Sequence, residues 1–549
     1  MTFFLCTDSD IHNKREFNWI CEEFIYSTGH QVIHSEDTFF DAIIYYGNNF
    51  KKNKKLNQFI GNVPILLIPN NNNNNKPNHV KVKNTNFGKI IVDKTINWIY
   101  NDNKNITSLE FDLITFLFYY LAEEEYLFNE SRDKYGRLTF NLSEKERIEL
   151  ENPIVNMWAH WVDNWLNHEL YKNNKIFYKK CLWPNQAKIA ISFSHDIDIV
   201  NKDFYSYWKT FIYYLINRET SIRNFISSIF KYFYLRVKGS KSTFNNFQFD
   251  NIRNFHKKHK IKATFNIMSS SANLLDNENY LELAKNNIND LLGDGHEIGL
   301  HGGYESKSFS NIKVFLKEKE ILERYIKRSV VSTRQHYLGF KFNKTFLIHE
   351  NSGIQIDSTV GYPDKAGFKS CFSHPYQPWL FEEHRKSSLH ELPLILMDGT
   401  MMSKAYSNLN LDEAKEMFLH YFNTVKKFNG VLTINWHQRI FSEGPYKKWM
   451  QLYYFAVDYI SNYNVYKATQ QDIIKRYKAI KSVNISMQKD TIIIMSPISI
   501  DSFSFIISNS LNIKPLEKSG ISIIKENENY VIEITKMNAN DIVRLTFEN

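Results

Sequence analysis

The sequence predicts an α/β barrel between a smaller α/β domain and a short all-β module, and three observations carry that prediction. Over about 185–478, short apolar runs alternate with amphipathic helical stretches, the pattern of strands connected by helices. Several of those runs end in polar or charged tips, as barrel strands do at an active-site face. From 482 onward the helical stretches stop, and short strand-like runs follow one another between turn residues. A chain of 549 residues is too long for one core. The expected domains are 1–180, 185–478 and 482–549.

The first domain carries strand patterns at Phe3–Cys6, Ala42–Tyr46 and Ile65–Ile68 and a helix over Phe17–Tyr26. The asparagine run Asn70–Asn75, followed by Lys-Pro, reads as a loop tip. Phe111–Phe128 reads as one apolar helix that turns acidic at Glu123–Glu125, followed by the polar turn Arg132-Asp-Lys-Tyr-Gly-Arg137. The aromatic helix Pro153–Leu170 comes next. Both helices are expected to pack as connectors, with no catalytic constellation in the first 180 residues.

The barrel is organised around Ile189-Ala-Ile-Ser-Phe-Ser-His-Asp-Ile-Asp198, an apolar strand with an acidic tip. Side chains alternate along a strand, so Asp196 and Asp198 share a pocket and His195 turns away. Two carboxylates that close repel unless a cation or a proton lies between them. A solvated pair capping the next helix is the plainer alternative. The segment 201–242 interleaves aromatic and basic residues. It is expected to be a lid packed on the barrel rim, with peripheral contact to a membrane face as the second possibility. Further strands are expected at Lys262–Met268, Val330–Gly339, Ile354–Ser358, Leu392–Met397 and Val431–Trp436, the last leading into His437. Helices are expected at Phe249–His259 and Phe309–Arg328.

Composition excludes some functions. Hydrophobic content of 43% with 23% charged residues describes a soluble globular chain. The net charge of +9 coincides with no nucleic-acid reading motif, so no nucleic-acid partner is expected. The four cysteines lie far apart, which suggests neither a disulfide framework nor a cysteine zinc site. The N-terminal stretch has no basic n-region and no apolar run reaches about 18 residues, so a cytoplasmic address without a transmembrane helix is expected, at most at the inner membrane face.

Three stretches bear on one site: His195-Asp-Ile-Asp198, His301-Gly-Gly-Tyr-Glu305 and His437, with Arg334 as a fourth member. Singly, each histidine is more often structural; together, at strand ends, they offer metal ligands, a base and an acid. The order of motifs resembles the polysaccharide deacetylases, the NodB-homology or family 4 carbohydrate esterases. The carriers are Ser194-His-Asp-Ile-Asp198, Ala263-Thr-Phe265, Gly295-His-Glu-Ile-Gly-Leu-His301, Thr333-Arg-Gln-His-Tyr337 and Ile434-Asn-Trp-His437, within about 185–475. The N-terminal part, through Phe111-Asp-Leu-Ile, Glu123–Tyr126 and Arg132–Arg137, is similar to a domain of unknown function found ahead of such deacetylases in bacterial proteins.

The resemblance implies a distorted (β/α) barrel holding one divalent metal, zinc first, with cobalt or manganese as alternatives. It implies Asp196 as catalytic base, Asp198 and His301 as metal ligands, Arg334 as the partner keeping Asp196 ionised, and His437 as general acid. Tyr304, Tyr337 and Trp436 are the expected substrate contacts, Asp357 or Asp364 the expected partner of His437, and His296 a structural residue. The sequence departs from the family at Glu305, where the family carries a second metal-binding histidine. Residues four apart share a face of a helical turn, so Glu305 is expected as the third ligand. The implied reaction removes an N-acyl group, acetyl first, from an amino sugar of a surface polysaccharide or its precursor. The alternatives are a catalytically inactive barrel that binds glycans or acts as a scaffold, and a hydrolase of another C–N bond such as a cyclic amide.

Overall fold

The computed structural model describes the chain except 37, 72–79, 97–99, 104, 129–131, 134, 136, 138–147, 199–211, 213–214, 217–220, 238–248, 270–279, 442–446, 489, 509–513, 516–519, 527–528 and 549. Most of the asparagine run and the aromatic start of the 201–242 segment lie outside the described residues.

The central sheet grows from Ala190–Ile197, whose eight residues are all buried. Sheet order is His390–Glu391, Ile356–Asp357, Ser332–Gln335, Glu297–Gly302, Thr264–Ile267, Ala190–Ile197, Val431–Asn435 and Leu396–Met397, with Tyr466–Ala468 also pairing with Ala190–Ser192. Every neighbouring pair runs parallel. The two ends of this order, Glu391 and Leu396, are close in the chain. Four intervening residues span little more than about 15 Å even fully extended. The sheet must therefore curl until its edges approach, giving a curled, parallel half-barrel in a mixed α/β protein. Parallel strands all point their C-terminal ends to one rim, which is where the polar tips collect.

The helices form where apolar residues recur on one face. Ile312–Ile326 buries Phe315, Leu322 and Ile326, and begins at Asn311, whose side chain accepts the N–H groups of Lys313 and Val314. Leu411–Lys427 opens with a capping box between Asn410 and Glu413.

The N-terminal part is a six-stranded sheet, parallel but for its last strand, built on Thr2–Thr7, Ala42–Tyr46 and Ile65–Ile68. The aromatic helix runs over Ile154–Lys172. Its Trp158 and Trp161 indoles donate to Ile91 O and Thr85 Oγ1 of an antiparallel hairpin over Val80–Asp93. The expected single helix over Phe111–Phe128 is broken into Leu113–Leu121 and Glu125–Phe128. Glu123 adopts φ 57° at the break. Its buried carboxylate accepts the Tyr376 hydroxyl and faces the Lys369 ammonium at 3.9 Å, and that contact requires the chain to leave the helix.

The C-terminal residues form two four-stranded sheets. One of them recruits Tyr178–Lys180, which pairs with Phe505–Ile507. Buried residues of these sheets, such as Ile492, Phe503 and Ile532, share a continuous core with Trp158 and Trp165 of the N-terminal helix. The barrel has its own core around Phe193, Phe265 and Phe418.

A helix over Ile222–Val237 lies in the 201–242 segment. Its Ile222, Ile226, Phe230, Phe233 and Val237, one face by spacing, are all exposed. The expected lid lies partly outside the described residues, and Phe225 and Ile229 of this helix are half-buried. Among the described residues no helix is long and apolar enough to cross a membrane.

Candidate metal centre and active site

At the C-terminal rim, a cavity of about 150 Å³ is lined by Asp196, Asp198, His301, His336 and His437 among others. Asp196 is the last-but-one residue of its strand, and Asp198 follows the strand's end on the same side. His195 faces the other way, its Nδ1 2.6 Å from Trp436 O, against Phe265 and Tyr453. Burial pushes this imidazole down to about 3, so it stays neutral.

Asp196 is 3% exposed and held by three side-chain donors. Oδ1 accepts from Asn266 Nδ2 at 2.7 Å and from Arg334 Nη1 at 3.1 Å; Oδ2 accepts from Asn435 Nδ2 at 2.7 Å. Arg334 is fully buried and also donates to Ser194 Oγ, Ser358 O and Ser358 Oγ, so its plane is fixed. Burial works against a charge on Asp196, but Arg334 and the nearby His301 and His437 imidazoles outweigh it and hold the carboxyl below its usual range.

The second group centres on Asp198. His301 Nε2 lies 3.3 Å and His336 Nε2 3.8 Å from Oδ1, while His437 Nε2 lies 3.4 Å from Oδ2. Potential ligand atoms of Asp198, His301 and His336 all lie within 4.8 Å of one another. His301 Nδ1 stands 2.8 Å from Arg334 O. A carbonyl only accepts, so Nδ1 carries the proton and a neutral ring turns its Nε2 lone pair to the carboxylate. Lone pairs of nitrogen and oxygen converging on one point repel unless a proton or a cation lies between them, and a divalent ion would satisfy all three groups at once. One carboxylate and two imidazoles suit zinc or another divalent transition metal, so the residues present fit the implied ion. Burial opposes a charge on Asp198 too, but His437, His301 and His336 hold its carboxyl well below the usual range.

His437 follows the strand Val431–Asn435. Its Nδ1 lies 2.6 Å from Asp398 Oδ1, and its backbone N–H donates to Asp398 Oδ2 at 3.0 Å. Asp398 is fully buried at the start of the short helix Asp398–Met402. It takes the place expected for Asp357 or Asp364: Asp357 is engaged with His349 Nδ1 at 2.5 Å and Thr359 N at 2.8 Å.

Two further expected residues lie outside this group. Glu305 is not in the metal group and does not line the cavity. His301 lies on the strand Glu297–Gly302 while Glu305 sits in the turn after it, so the helical spacing invoked for the pair does not apply. The third place is taken by His336, from the end of the next strand. Trp436 is fully buried outside the cavity, its ring packed on Tyr453 and its indole donating to Trp449 O at 3.3 Å. Tyr337 lines the cavity; Tyr304 does not, and donates its hydroxyl to Tyr135 O at 2.9 Å. His296 accepts the Ala263 N–H at 3.1 Å in the barrel wall.

Sequence reading missed Asn266, Asn435, Asp398 and Arg137. The first two had a signal: Asn435 precedes His437 by two and shares its face of the strand, and Asn266 directly follows Ala263-Thr-Phe265. Arg137 comes from the N-terminal domain, where no site residue was expected, and it lines the cavity wall.

A family of unknown function (DUF7033) matches residues 8–171. No curated protein matches the chain. Among solved structures, a protein from Mycobacterium smegmatis described as a polysaccharide deacetylase is similar over 56% of this chain and 96% of its own, at 16% identity and a TM-score of 0.36. An allantoinase is similar over 55% of this chain and 93% of its own, at 15% identity and a TM-score of 0.37. A carbohydrate esterase family 4 pseudoenzyme from Bacillus anthracis is similar over 53% and 66%, at 8% identity and a TM-score of 0.25. Structural neighbours at low identity thus include polysaccharide deacetylases over about half of the chain.

Proposed function

We propose that this protein is a divalent-metal-dependent hydrolase that removes an N-acyl group, acetyl first, from an amino sugar of a surface polysaccharide or its precursor. The observation that carries this reading is the meeting of three units in one cavity: Asp198–His301–His336, Asp196 held by Arg334, and His437 held by Asp398. An ion held by Asp198, His301 and His336 would supply Lewis acidity toward an acyl carbonyl and a water.

The chain's own residues handle the protons. Asp196, kept ionised by Arg334, Asn266 and Asn435, accepts the proton of the attacking water. His437 gives a proton from Nε2 to the departing amine, which leaves poorly as an anion. Asp398 holds Nδ1 protonated, so Nε2 is the nitrogen that faces the cavity. The cavity of about 150 Å³ is smaller than the roughly 300 Å³ minimum of whole-ligand pockets. It suits an acetamido group with water, the sugar ring lying at the mouth.

Acetate release from a panel of N-acetylated amino sugars, with small cyclic amides alongside, tests the reading. The wild type, loaded with zinc or cobalt, releases acetate, and Asp196→Asn loses at least about 10³-fold in kcat. Ring opening of a cyclic amide without acetate release would replace the substrate class, and glycan binding without turnover in either protein would make the barrel a binding module.

A further inference from the structure

His336, the third member of the metal group, precedes backbone that a non-glycine chain adopts reluctantly. Tyr337 and Leu338 are both left-handed, with φ of 57° and 53°. Two such residues in succession persist only where their surroundings hold them. Part of what holds them comes from outside the barrel.

In the N-terminal domain, Asp133 Oδ1 accepts the N–H groups of Tyr135 at 2.9 Å and Arg137 at 3.0 Å, and Oδ2 accepts Arg137 Nε at 2.7 Å. These bonds tighten the turn and send the guanidinium forward. Arg137 Nη1 donates to Tyr337 O at 3.2 Å, which grips the left-handed peptide directly. The Tyr135 ring stacks on the Tyr337 ring at 4.6 Å and 14°, and the Tyr337 ring continues to the His336 imidazole at 4.2 Å and 30°. Tyr304 closes the arrangement, meeting Tyr337 edge-on at 5.4 Å while donating to Tyr135 O. A run of three rings thus leads from the N-terminal domain to the metal group.

We propose that Tyr135 and Arg137 are positioning residues for the metal centre: they fix the Tyr337–Leu338 backbone and so aim His336 Nε2 at Asp198 and His301. This rests on the metal reading of the cavity and deepens it, giving the N-terminal domain a part in the site. The ring stack limits rotation of the imidazole, and the guanidinium keeps the peptide behind it from relaxing to a right-handed conformation.

Cobalt(II) titration of the chelator-treated full-length chain, followed by visible absorption and by competition with a chelator, tests this without any substrate. Tyr135→Phe, which keeps the stack, should bind cobalt as wild type does. Tyr135→Ala and Arg137→Gln should bind about 10–100-fold more weakly, the usual cost of losing an outer-shell support. Metal-free thermal unfolding close to wild type would show that the loss is local; if Tyr135→Ala does not fold, Arg137→Gln carries the test. A folded Tyr135→Ala and Arg137→Gln with wild-type affinity would overturn the proposal and leave the metal reading standing. So would a His336→Ala protein of undiminished affinity beside a weakened Tyr135→Ala, since the stack would then act elsewhere. A wild type that takes up no cobalt would overturn both.

Discussion

Asp398 accepts from both the backbone N–H and the imidazole of His437, and it is fully buried while doing so. Its carboxylate therefore decides which nitrogen of the ring carries the proton. Asp398→Asn offers an amide in place of the carboxylate and weakens both the orientation and the charge that favour protonation. We expect kcat for an N-acetyl substrate to fall by about 10²-fold or more. An activated aryl acetate, whose leaving group needs no proton, should lose far less. Equal losses on both substrates would mean that Asp398 holds the fold of the rim and not the acid. The neighbouring residues differ in how openly the sequence declared them. Asp196, Asp198 and His437 stand at strand ends, where alternation and position give their direction. Glu305 lies apart from the group because its four-residue spacing from His301 runs across the end of a strand. Asp398 is a single acid after an apolar run, and its meaning lies only in the contact it makes.

Elements with a full periodic signal were legible. Ala42–Tyr46 and Ile65–Ile68 form strands with the expected bounds, and Phe249–Lys258 forms the expected helix to within a residue. Three of the barrel's later strands are two residues long, at Ile356–Asp357, His390–Glu391 and Leu396–Met397. An alternation cannot be seen in two residues, so of the expected Leu392–Met397 strand only Leu396–Met397 forms. The break after Leu121 was hidden for another reason. Apolar periodicity continues to Phe128, and only the burial of Glu123 against Tyr376 and Lys369, distant in sequence, interrupts the helix. Tyr178–Lys180 likewise carries no strand signal of its own; the partner strand Phe503–Ser508 supplies its ladder from the other end of the chain.

At the scale of the whole molecule, contacts cross the boundaries expected between the three regions. Tyr178–Lys180 completes a C-terminal sheet, and Arg137 reaches from the N-terminal part into the barrel's cavity. Such couplings depend on tertiary proximity and leave no local pattern. The buried histidines give the fold a pH dependence. Burial lowers His195, His374 and His390 each to about 3. The unfolded chain therefore takes up protons near pH 6.5 that the folded one refuses. Their stabilising contribution is complete above about pH 6.5 and is lost as pH falls toward their folded values. His301, which Asp196 and Asp198 raise against the effect of burial, works in the opposite sense, as does Glu124, which burial pushes up to about 7. We expect each buried histidine to lose about 1 kcal/mol of its contribution between pH 7 and 5.5, visible as a smaller fall in unfolding temperature for His374→Gln than for the wild type. A variant whose unfolding temperature falls as far as that of the wild type would contradict this.

The central claim is that Asp198, His301 and His336 hold a divalent ion, and elemental mass spectrometry on purified full-length protein tests it most directly. The account predicts about one zinc, cobalt or manganese per wild-type chain, lost in His336→Ala and His301→Ala and kept in Glu305→Ala. A wild type that stays metal-free after incubation with all three ions, or one in which Glu305→Ala loses the ion while His336→Ala keeps it, would contradict it.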